Sequence, residues 1–262
     1  MNKSINLQQI LINLIAPLTN KQYTIIEENQ HMKLVLIRHG QSLWNKENIF
    51  TGWTDIDLSQ QGEDEARSAG ELLKNKHYDF DLCYTSYLKR SIKTMNIILE
   101  ELDRCWLPVN KCWELNERHY GALQGKNKAE VAKKFGAEQV QIWRRSFGVN
   151  PPMLSEEDDR NPAKQEMYRD VDKNLLPLGE SLKMTIDRVI PFFEKEIKPN
   201  ILSGKRVVIA AHGNSLRALL KYVKNISDED IVNLDIPTGV PYVIEFDDTF
   251  KVMDSYYLID KK

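Results

Sequence analysis

Two histidines follow apolar segments of the chain in nearly the same local sequence, as Arg38-His39-Gly40 and Ala211-His212-Gly213. Short apolar runs rich in branched residues are typical of buried parallel strands. Ligands bind beyond the carboxyl ends of strands in open α/β sheets, so we expect the two imidazoles to face each other across one crevice. Glycine after each histidine would let the backbone approach a ligand closely.

Arginine next to the first histidine indicates that the ligand is an anion. The fork of Arg38 matches the oxygens of a phosphate, and Arg90, at the start of a helix after the second strand, can point into the same crevice. Nearby cations should keep His39 neutral, as a nucleophile must be, whereas a protonated His212 could hold an oxygen of the moving group. This pattern predicts phosphoryl transfer through a phosphohistidine at His39.

The elements that would position these residues alternate between strands and helices. We predict strands at 33–37, 81–84, 206–211, 242–246 and 252–258, and helices at 59–74, 87–101, 127–145, 182–197 and 215–223. This order predicts a three-layer α/β fold, with a mostly parallel central sheet and helices on both faces. The long polar segment 148–172 has a length that is typical of lids.

Composition excludes several classes of protein. The chain has 262 residues and a net charge of -2, without the basic excess of a nucleic-acid binder. No apolar run reaches the roughly 18 residues that a membrane span needs. Three cysteines without a Cys-x-x-Cys pair suggest free thiols in a reducing compartment, so we expect a cytoplasmic protein.

The N-terminal residues 1–31 are expected to be an extension outside the core, because Met32 directly precedes the first strand. Residues 32–262 would then form a single catalytic domain, long enough to bury a core without a disulfide or a metal.

Six sequence blocks together carry a resemblance to a known family. They are Leu36–Asn45, Phe50–Trp53, Leu115–Gly125, Ile142–Ser146, Pro177–Leu182 and Ala210–Ser215. In this order they resemble the histidine phosphatase superfamily, and within it the 2,3-bisphosphoglycerate-dependent phosphoglycerate mutases, over nearly all of 32–260. The block around Trp143 supports the narrower resemblance, because small phosphatases of the superfamily generally lack it.

The resemblance implies a role for each matching residue. His39 would accept and donate the phosphoryl group, while Arg38, Arg90 and His212 would hold that group. Glu117 would exchange a proton with the substrate hydroxyl, a role that favours a partly buried site. The implied substrate-binding residues are Arg38, Ser42, Asn45, Thr51, Gly52, Arg90, Glu117, Tyr120, Lys128, Arg144, Arg145, Gly213 and Asn214.

The implied reaction is the glycolytic and gluconeogenic interconversion of 2-phosphoglycerate and 3-phosphoglycerate. The resemblance implies 2,3-bisphosphoglycerate as primer and intermediate, no metal, and small phosphorylated three-carbon acids as partners. It also implies a homo-oligomer, either a dimer or a tetramer. Trp44, Trp53 and Trp143 lie beside these blocks and are expected to be packing residues.

Other functions stay open at this point. The printed chain ends at Lys262 without the Ala/Lys/Gly-rich tail of many relatives, and its absence could admit water to the site. One alternative is therefore a bisphosphoglycerate phosphatase/synthase or a phosphomonoesterase on the same fold. A non-catalytic phospho-ligand module would not need His39, Glu117 and His212 together. A metal-dependent hydrolase is disfavoured, because a guanidinium next to a dication is repelled.

Overall fold

A computed structural model of the protein describes residues 32–259. The expected extension at 1–31 lies outside the described residues. The strands are β1 (Met32–Arg38), β2 (Leu82–Thr85), β3 (Val109–Lys111), β4 (Val207–Ala211), β5 (Tyr242–Phe246) and β6 (Val252–Tyr257). They form one sheet in the order β3-β2-β4-β1-β5-β6.

The sheet is mostly parallel, as predicted. Strands β1, β4, β2 and β3 pair in parallel, β5 is antiparallel to β1, and β6 is antiparallel to β5. Only β5 therefore runs against the direction of the other strands. Arg38 pairs with Ala211 in the β1–β4 register, and this pairing brings the two His-Gly endings side by side at one edge of the sheet.

Helices cover both faces of the sheet. They are α1 (Leu43–Lys46), α2 (Gln60–Asn75), α3 (Lys89–Glu101), α4 (Lys128–Phe135), α5 (Ala137–Arg145), α6 (Leu182–Phe192), α7 (Lys198–Leu202) and α8 (Gly213–Val223). A π-helical segment, Phe193–Ile197, joins α6 to α7. Short 3-10 helices occupy Trp113–Leu115, Gly121–Leu123, Pro162–Lys164, Glu166–Tyr168, Lys173–Leu175 and Asp230–Asn233. None of the helices in residues 32–259 is long and apolar enough to cross a membrane.

Alternate residues of β1 enter two different cores. Leu34 and Leu36 pack with residues of α6 and α8 on one face, whereas Val35 and Ile37 pack with residues of α2 and α3 on the other. Since successive side chains of a strand point to opposite faces, burial of both faces requires an unbroken apolar run. This requirement explains why the apolar segments of the sequence predicted the central strands.

Some local features differ from the predictions. The single helix expected at 127–145 is two helices, because Gly136 takes a φ of 89° and ends α4. Strand β3 was not predicted, since its three residues are too few and too polar to form a pattern. The segment 148–172, whose length is typical of lids, packs Tyr168 against Trp53 with ring centroids 5.0 Å apart.

A close backbone contact holds the loop after β1 against the start of α2. A Cβ atom on Gly62 would lie 2.0 Å from the carbonyl oxygen of Gln41, and one on Gly40 would lie 2.0 Å from the carbonyl oxygen of Gly62. Ser59 caps α2 by accepting a hydrogen bond from the backbone N–H of Gly62. Glycine is therefore required here to let the loop that carries His39 approach the helix.

We predict that Gly62→Ala lowers the free energy of unfolding by about 1–3 kcal/mol, because the added methyl group must push backbone atoms apart. Urea denaturation would measure the change. Gly148→Ala is the matched control, since no atom lies within 4 Å of a Cβ at that position. Equal stability of the two variants would contradict the prediction.

Candidate active site

A cavity of about 100 Å³ opens beyond the carboxyl ends of β1 and β4. Six cationic and two anionic side chains line it, so its wall favours a polyanion. The predicted site residues on the wall are Arg38, His39, Asn45, Thr51, Gly52, Arg90, Glu117, Tyr120, Lys128, Arg144, Arg145, Gly213 and Asn214. Sequence reasoning did not assign the other lining residues, which are Ile49, Phe50, Arg217, Asp235 and Ile236. The segment 148–172 contributes no residue to this wall.

His39 is held in an orientation suited to a nucleophile. Its backbone N–H donates to the carbonyl of Ala211 at 2.9 Å, and its Nδ1 lies 2.6 Å from the carbonyl oxygen of Gly40. A carbonyl oxygen only accepts, so Nδ1 carries the ring proton and the lone pair is on Nε2. Burial, followed by the charges of Arg90 and Arg38, lowers the pKa of His39 well below 6.5. The imidazole is therefore neutral, as predicted.

Two arginines flank His39 and are anchored on backbone carbonyls. Arg38 donates from Nη1 to Ile236 at 2.7 Å. Arg90 donates to Thr54 at 2.9 Å and to Gly52 at 2.7 Å. Burial lowers the pKa of Arg90 to about 10, so that it stays charged at neutral pH. The Nε of Arg38 is buried without a hydrogen-bond partner among the described residues, and it could donate to an anion.

His212 differs from its prediction in two respects. It is fully buried behind His39, with ring centroids 4.9 Å apart, and it is absent from the cavity wall. Its Nε2 lies 2.7 Å from the hydroxyl oxygen of Ser86. Burial first, then Arg90 and His39, lowers the pKa of His212 well below 6.5. Burial and the same cations that act on His39 thus favour a neutral His212, whereas the prediction has it protonated against the moving phosphoryl group.

The carboxylate of Glu117 is held through one of its two oxygens. Oε1 accepts from the backbone N–H of Arg118 at 2.7 Å, from the backbone N–H of Asn214 at 3.1 Å, and from the Asn214 side chain at 2.9 Å. Oε2 borders the space in front of Gly213, since a Cβ atom there would lie 3.7 Å from Oε2 and 3.6 Å from Nε of Arg38. This oxygen is placed to exchange a proton close to the arginine.

Ser42 and Asn45 form a capping box at the start of α1. The Ser42 hydroxyl accepts from the backbone N–H of Asn45 at 3.1 Å, and the Asn45 side chain accepts from the backbone N–H of Ser42 at 3.0 Å. Asn45 lines the cavity, but Ser42 does not. The prediction that Ser42 lies on the binding surface is therefore not met, because its hydroxyl caps the helix that presents Asn45.

The hairpin of α4 and α5 supplies three further cations to the cavity wall. Lys128 lies at the first residue of α4, and Arg144 and Arg145 lie at the end of α5. Burial, followed by the charge of Arg144, lowers the pKa of Lys128. Arg145 donates to the carbonyl of Leu234 at 3.2 Å and to the carboxylate of Asp235 at 3.1 Å.

Behind the wall, buried arginines hold the segments that carry the lining residues. Arg118 donates to the carbonyls of Trp143 at 2.7 Å and Arg144 at 2.6 Å. Arg188 pairs with the buried carboxylate of Glu180 at 2.6 Å and donates to the carbonyl of Glu117 at 2.9 Å. Sequence reasoning missed these residues, because nothing near them in the chain reveals their distant partners.

Between residues 32 and 259, no group of three or more histidine, cysteine, aspartate or glutamate side chains is arranged to hold a metal ion.

Comparison with known proteins gives consistent matches. Residues 34–160 and 153–258 match the family model described as histidine phosphatase superfamily (branch 1). A protein of Treponema denticola named 2,3-bisphosphoglycerate-dependent phosphoglycerate mutase is 62% identical over 231 residues, which are 88% of this chain and 94% of that relative. A protein of the same name from Lachnoclostridium phytofermentans is 61% identical over 229 residues, with 87% and 92% coverage. Among solved structures, a mycobacterial glucosyl-3-phosphoglycerate phosphatase shares the fold with a TM-score of 0.65 at 22% identity, with 87% and 98% coverage.

We predict that His39 is neutral and protonated on Nδ1 at pH 6.5, which is the ordinary pKa of a histidine. Long-range ¹H–¹⁵N spectra of labelled protein would identify the tautomer. The signal is assigned by its loss in His39→Asn, and the exposed His77 serves as an internal reference. A His39 ring that is half protonated at pH 6.5 would contradict this prediction.

The same lowered pKa values set the sign of the pH dependence of stability. Burial, followed by Arg188, also lowers the pKa of His119, to about 3. Below pH 6.5 the unfolded chain binds protons at these histidines while the folded protein does not, so the free energy of unfolding must fall as pH decreases. Urea denaturation across this range would measure the fall.

Thr51 gives a prediction that separates binding from stability. Its Oγ1 is buried and has no hydrogen-bond partner within 32–259, which usually costs stability. Thr51→Val should therefore leave stability unchanged or raise it. It should weaken the binding of inorganic phosphate about tenfold, since a hydrogen bond to a charged group contributes roughly 1.5 kcal/mol or more. Calorimetry would measure both the stability and the binding of phosphate. Thr51→Ser keeps the hydroxyl and should bind phosphate as the wild type does.

Proposed function

Since this chain belongs to the histidine phosphatase superfamily and, within it, to the 2,3-bisphosphoglycerate-dependent phosphoglycerate mutases, we propose that it interconverts 2-phosphoglycerate and 3-phosphoglycerate through a phosphohistidine at His39. One observation supports this most strongly. A neutral imidazole, with its lone pair on Nε2, lines a cavity that carries six cationic side chains.

The first transfer starts from phosphorylated His39. The free hydroxyl of a monophosphoglycerate attacks the phosphorus, the P–N bond to Nε2 breaks, and the hydroxyl proton passes to Glu117. The product is 2,3-bisphosphoglycerate, and Nε2 regains its lone pair. Covalent catalysis of this kind divides one difficult transfer into two easier steps.

The second transfer reverses the first at the other phosphate. After 2,3-bisphosphoglycerate reorients in the cavity, Nε2 of His39 attacks the second phosphorus, and the P–O bond breaks. Glu117 returns its proton to the departing oxygen, which becomes the hydroxyl of the isomer. 2,3-Bisphosphoglycerate is thus both the primer that first phosphorylates His39 and the intermediate of each cycle.

The cations supply the stabilisation that the phosphoryl group needs. Each phosphate carries about -1.5 to -2 charges near neutrality, so an intermediate with two phosphates and a carboxylate matches the excess of cations over anions on the wall. We propose that Arg38 and Arg90 hold the moving phosphoryl group, and that Arg144 and Arg145 hold the distal groups. His212 would support the ring of His39 by packing against it.

Other parts of this proposal rest on the resemblance. The substrates are small phosphorylated three-carbon acids, and no metal takes part. The enzyme is expected to work in the cytoplasm as a homo-oligomer.

We predict that the purified protein converts 3-phosphoglycerate in an enolase-coupled assay, that 2,3-bisphosphoglycerate raises the rate, and that chelator does not lower it. His39→Asn should abolish this activity, because the amide cannot form the phosphoryl intermediate. His77→Asn changes an exposed histidine in the same way and should retain full activity.

Release of inorganic phosphate, followed in the same samples, tests the alternative. Hydrolysis faster than isomerisation would identify a bisphosphoglycerate phosphatase or a phosphomonoesterase instead of a mutase. Activity of His39→Asn above trace levels would refute the phosphohistidine.

A further inference from the structure

Arg217 is a buried cation of α8 that joins the cavity wall to the residues behind it. Its side chain is 3% exposed. Nη1 donates to the side-chain oxygen of Asn214 at 2.8 Å, and Nη2 donates to the carbonyl of Ile231 at 2.6 Å and to that of Arg145 at 3.3 Å. Burial, followed by Arg118 and Arg145, lowers its pKa to about 10, so the guanidinium is charged at neutral pH.

The guanidinium decides how the Asn214 amide is oriented. A guanidinium has donors only, so the amide must turn its oxygen toward Arg217. The amide nitrogen then faces the other way, and it donates to Oε1 of Glu117 at 2.9 Å. The opposite orientation would set the amide N–H groups against the guanidinium and the amide oxygen against the carboxylate, so both contacts would become repulsive.

This orientation makes the two oxygens of Glu117 unequal. Three N–H groups donate to Oε1, so the lone pairs of this oxygen are already used and none is left to accept from the substrate hydroxyl. The proton is therefore directed to Oε2, which borders the space in front of Gly213 beside Nε of Arg38.

We propose that Arg217 is a positioning residue for proton exchange, because it locks the Asn214 amide so that Oε2 of Glu117 is the oxygen that takes and returns the substrate proton. This inference rests on the proposed function. It adds that Arg217, one of the six cations of the cavity wall, also acts on catalysis through Asn214. The anchoring of Arg217 on two backbone carbonyls keeps its position fixed while substrates exchange.

The test compares leaving groups that do and do not need a proton. Arg217→Lys and Arg217→Met are measured beside Lys221→Met, which removes a cation one turn further along α8 whose ammonium also donates to a backbone carbonyl. Phosphoglycerate turnover needs proton exchange at the alkoxide. Phosphorylation of His39 by p-nitrophenyl phosphate does not, because p-nitrophenolate leaves unprotonated.

For Arg217→Met we expect kcat for 3-phosphoglycerate to fall about 10- to 100-fold, as part of the ~10²–10⁴-fold effect that is typical of acid–base catalysis. The ammonium of Arg217→Lys also has donors only but cannot keep all three contacts of the guanidinium, so its kcat should fall less. KM should stay within about twofold, as expected when only transition-state interactions are lost. The p-nitrophenolate burst should keep its wild-type rate. Lys221→Met should match the wild type in all three measurements.

Other results would overturn the inference. A raised KM with unchanged kcat would mean that Arg217 contacts substrate directly, and equal losses with both phosphoryl donors would mean a structural defect. If Arg217→Met does not fold, the smaller fall in kcat expected for Arg217→Lys carries the test. If the wild type gives no burst, the split between kcat and KM decides. A wild-type protein without mutase activity would refute the proposed function, whereas an active wild type with unaffected Arg217 variants would refute only this inference.

Discussion

Mutual repulsion among the cations of the cavity wall is the constraint on which the rest of the site depends. Six cationic side chains converge on one small cavity, and only two carboxylates lie among them. Carboxylates would hold arginines in place, but they would also neutralise the charge that an anion must meet. In this site, backbone carbonyls replace carboxylates as the main acceptors that hold the arginines. Arg38, Arg90 and Arg217 donate to carbonyl oxygens, which fix each guanidinium and leave its charge available.

Those carbonyls belong to irregular backbone, and this explains why so much of the chain around the site lies in loops and short 3-10 helices. The carbonyls of a regular strand or helix are used within the secondary structure, whereas those of Gly52, Thr54 and Ile236 accept from a guanidinium. The carbonyl of Thr54 accepts from the backbone N–H of Ile56 as well. The exception is the end of α5, where the last carbonyls of a helix have no partner in the helix itself. Arg118 and Arg217 donate to these carbonyls and so hold the turn that presents Arg144 and Arg145.

The concentration of positive charge also determines the state of the histidines. Burial and the neighbouring arginines lower the pKa of both His39 and His212. His39 benefits, because a neutral ring with its proton on Nδ1 has the lone pair that phosphoryl transfer needs. For His212, burial and the same charges also favour the neutral ring, and its buried position behind His39 suits a supporting role. The two matched motifs thus lead to different roles through their depth in the protein.

Local sequence determined the features that depend on neighbouring residues. The apolar runs predicted the central strands, Ser59 predicted the start of α2, and the matched His-Gly endings predicted two histidines at one edge of the sheet. These predictions succeeded because strand burial and helix capping leave patterns within a few residues. Gly136 interrupts a helical pattern that otherwise continues, so the break between α4 and α5 was missed.

Only the tertiary structure decided features that depend on partners far away in the chain. Arg188 reaches the carbonyl of Glu117 across 71 positions, and Arg38 reaches that of Ile236 across 198. The Ser42 hydroxyl caps the start of α1. Arg217 orients the side-chain amide of Asn214 through a single hydrogen bond. Residue types alone could not reveal these contacts, because hydrogen bonds and pKa values depend on distance, burial and field, which exist only once the chain has folded.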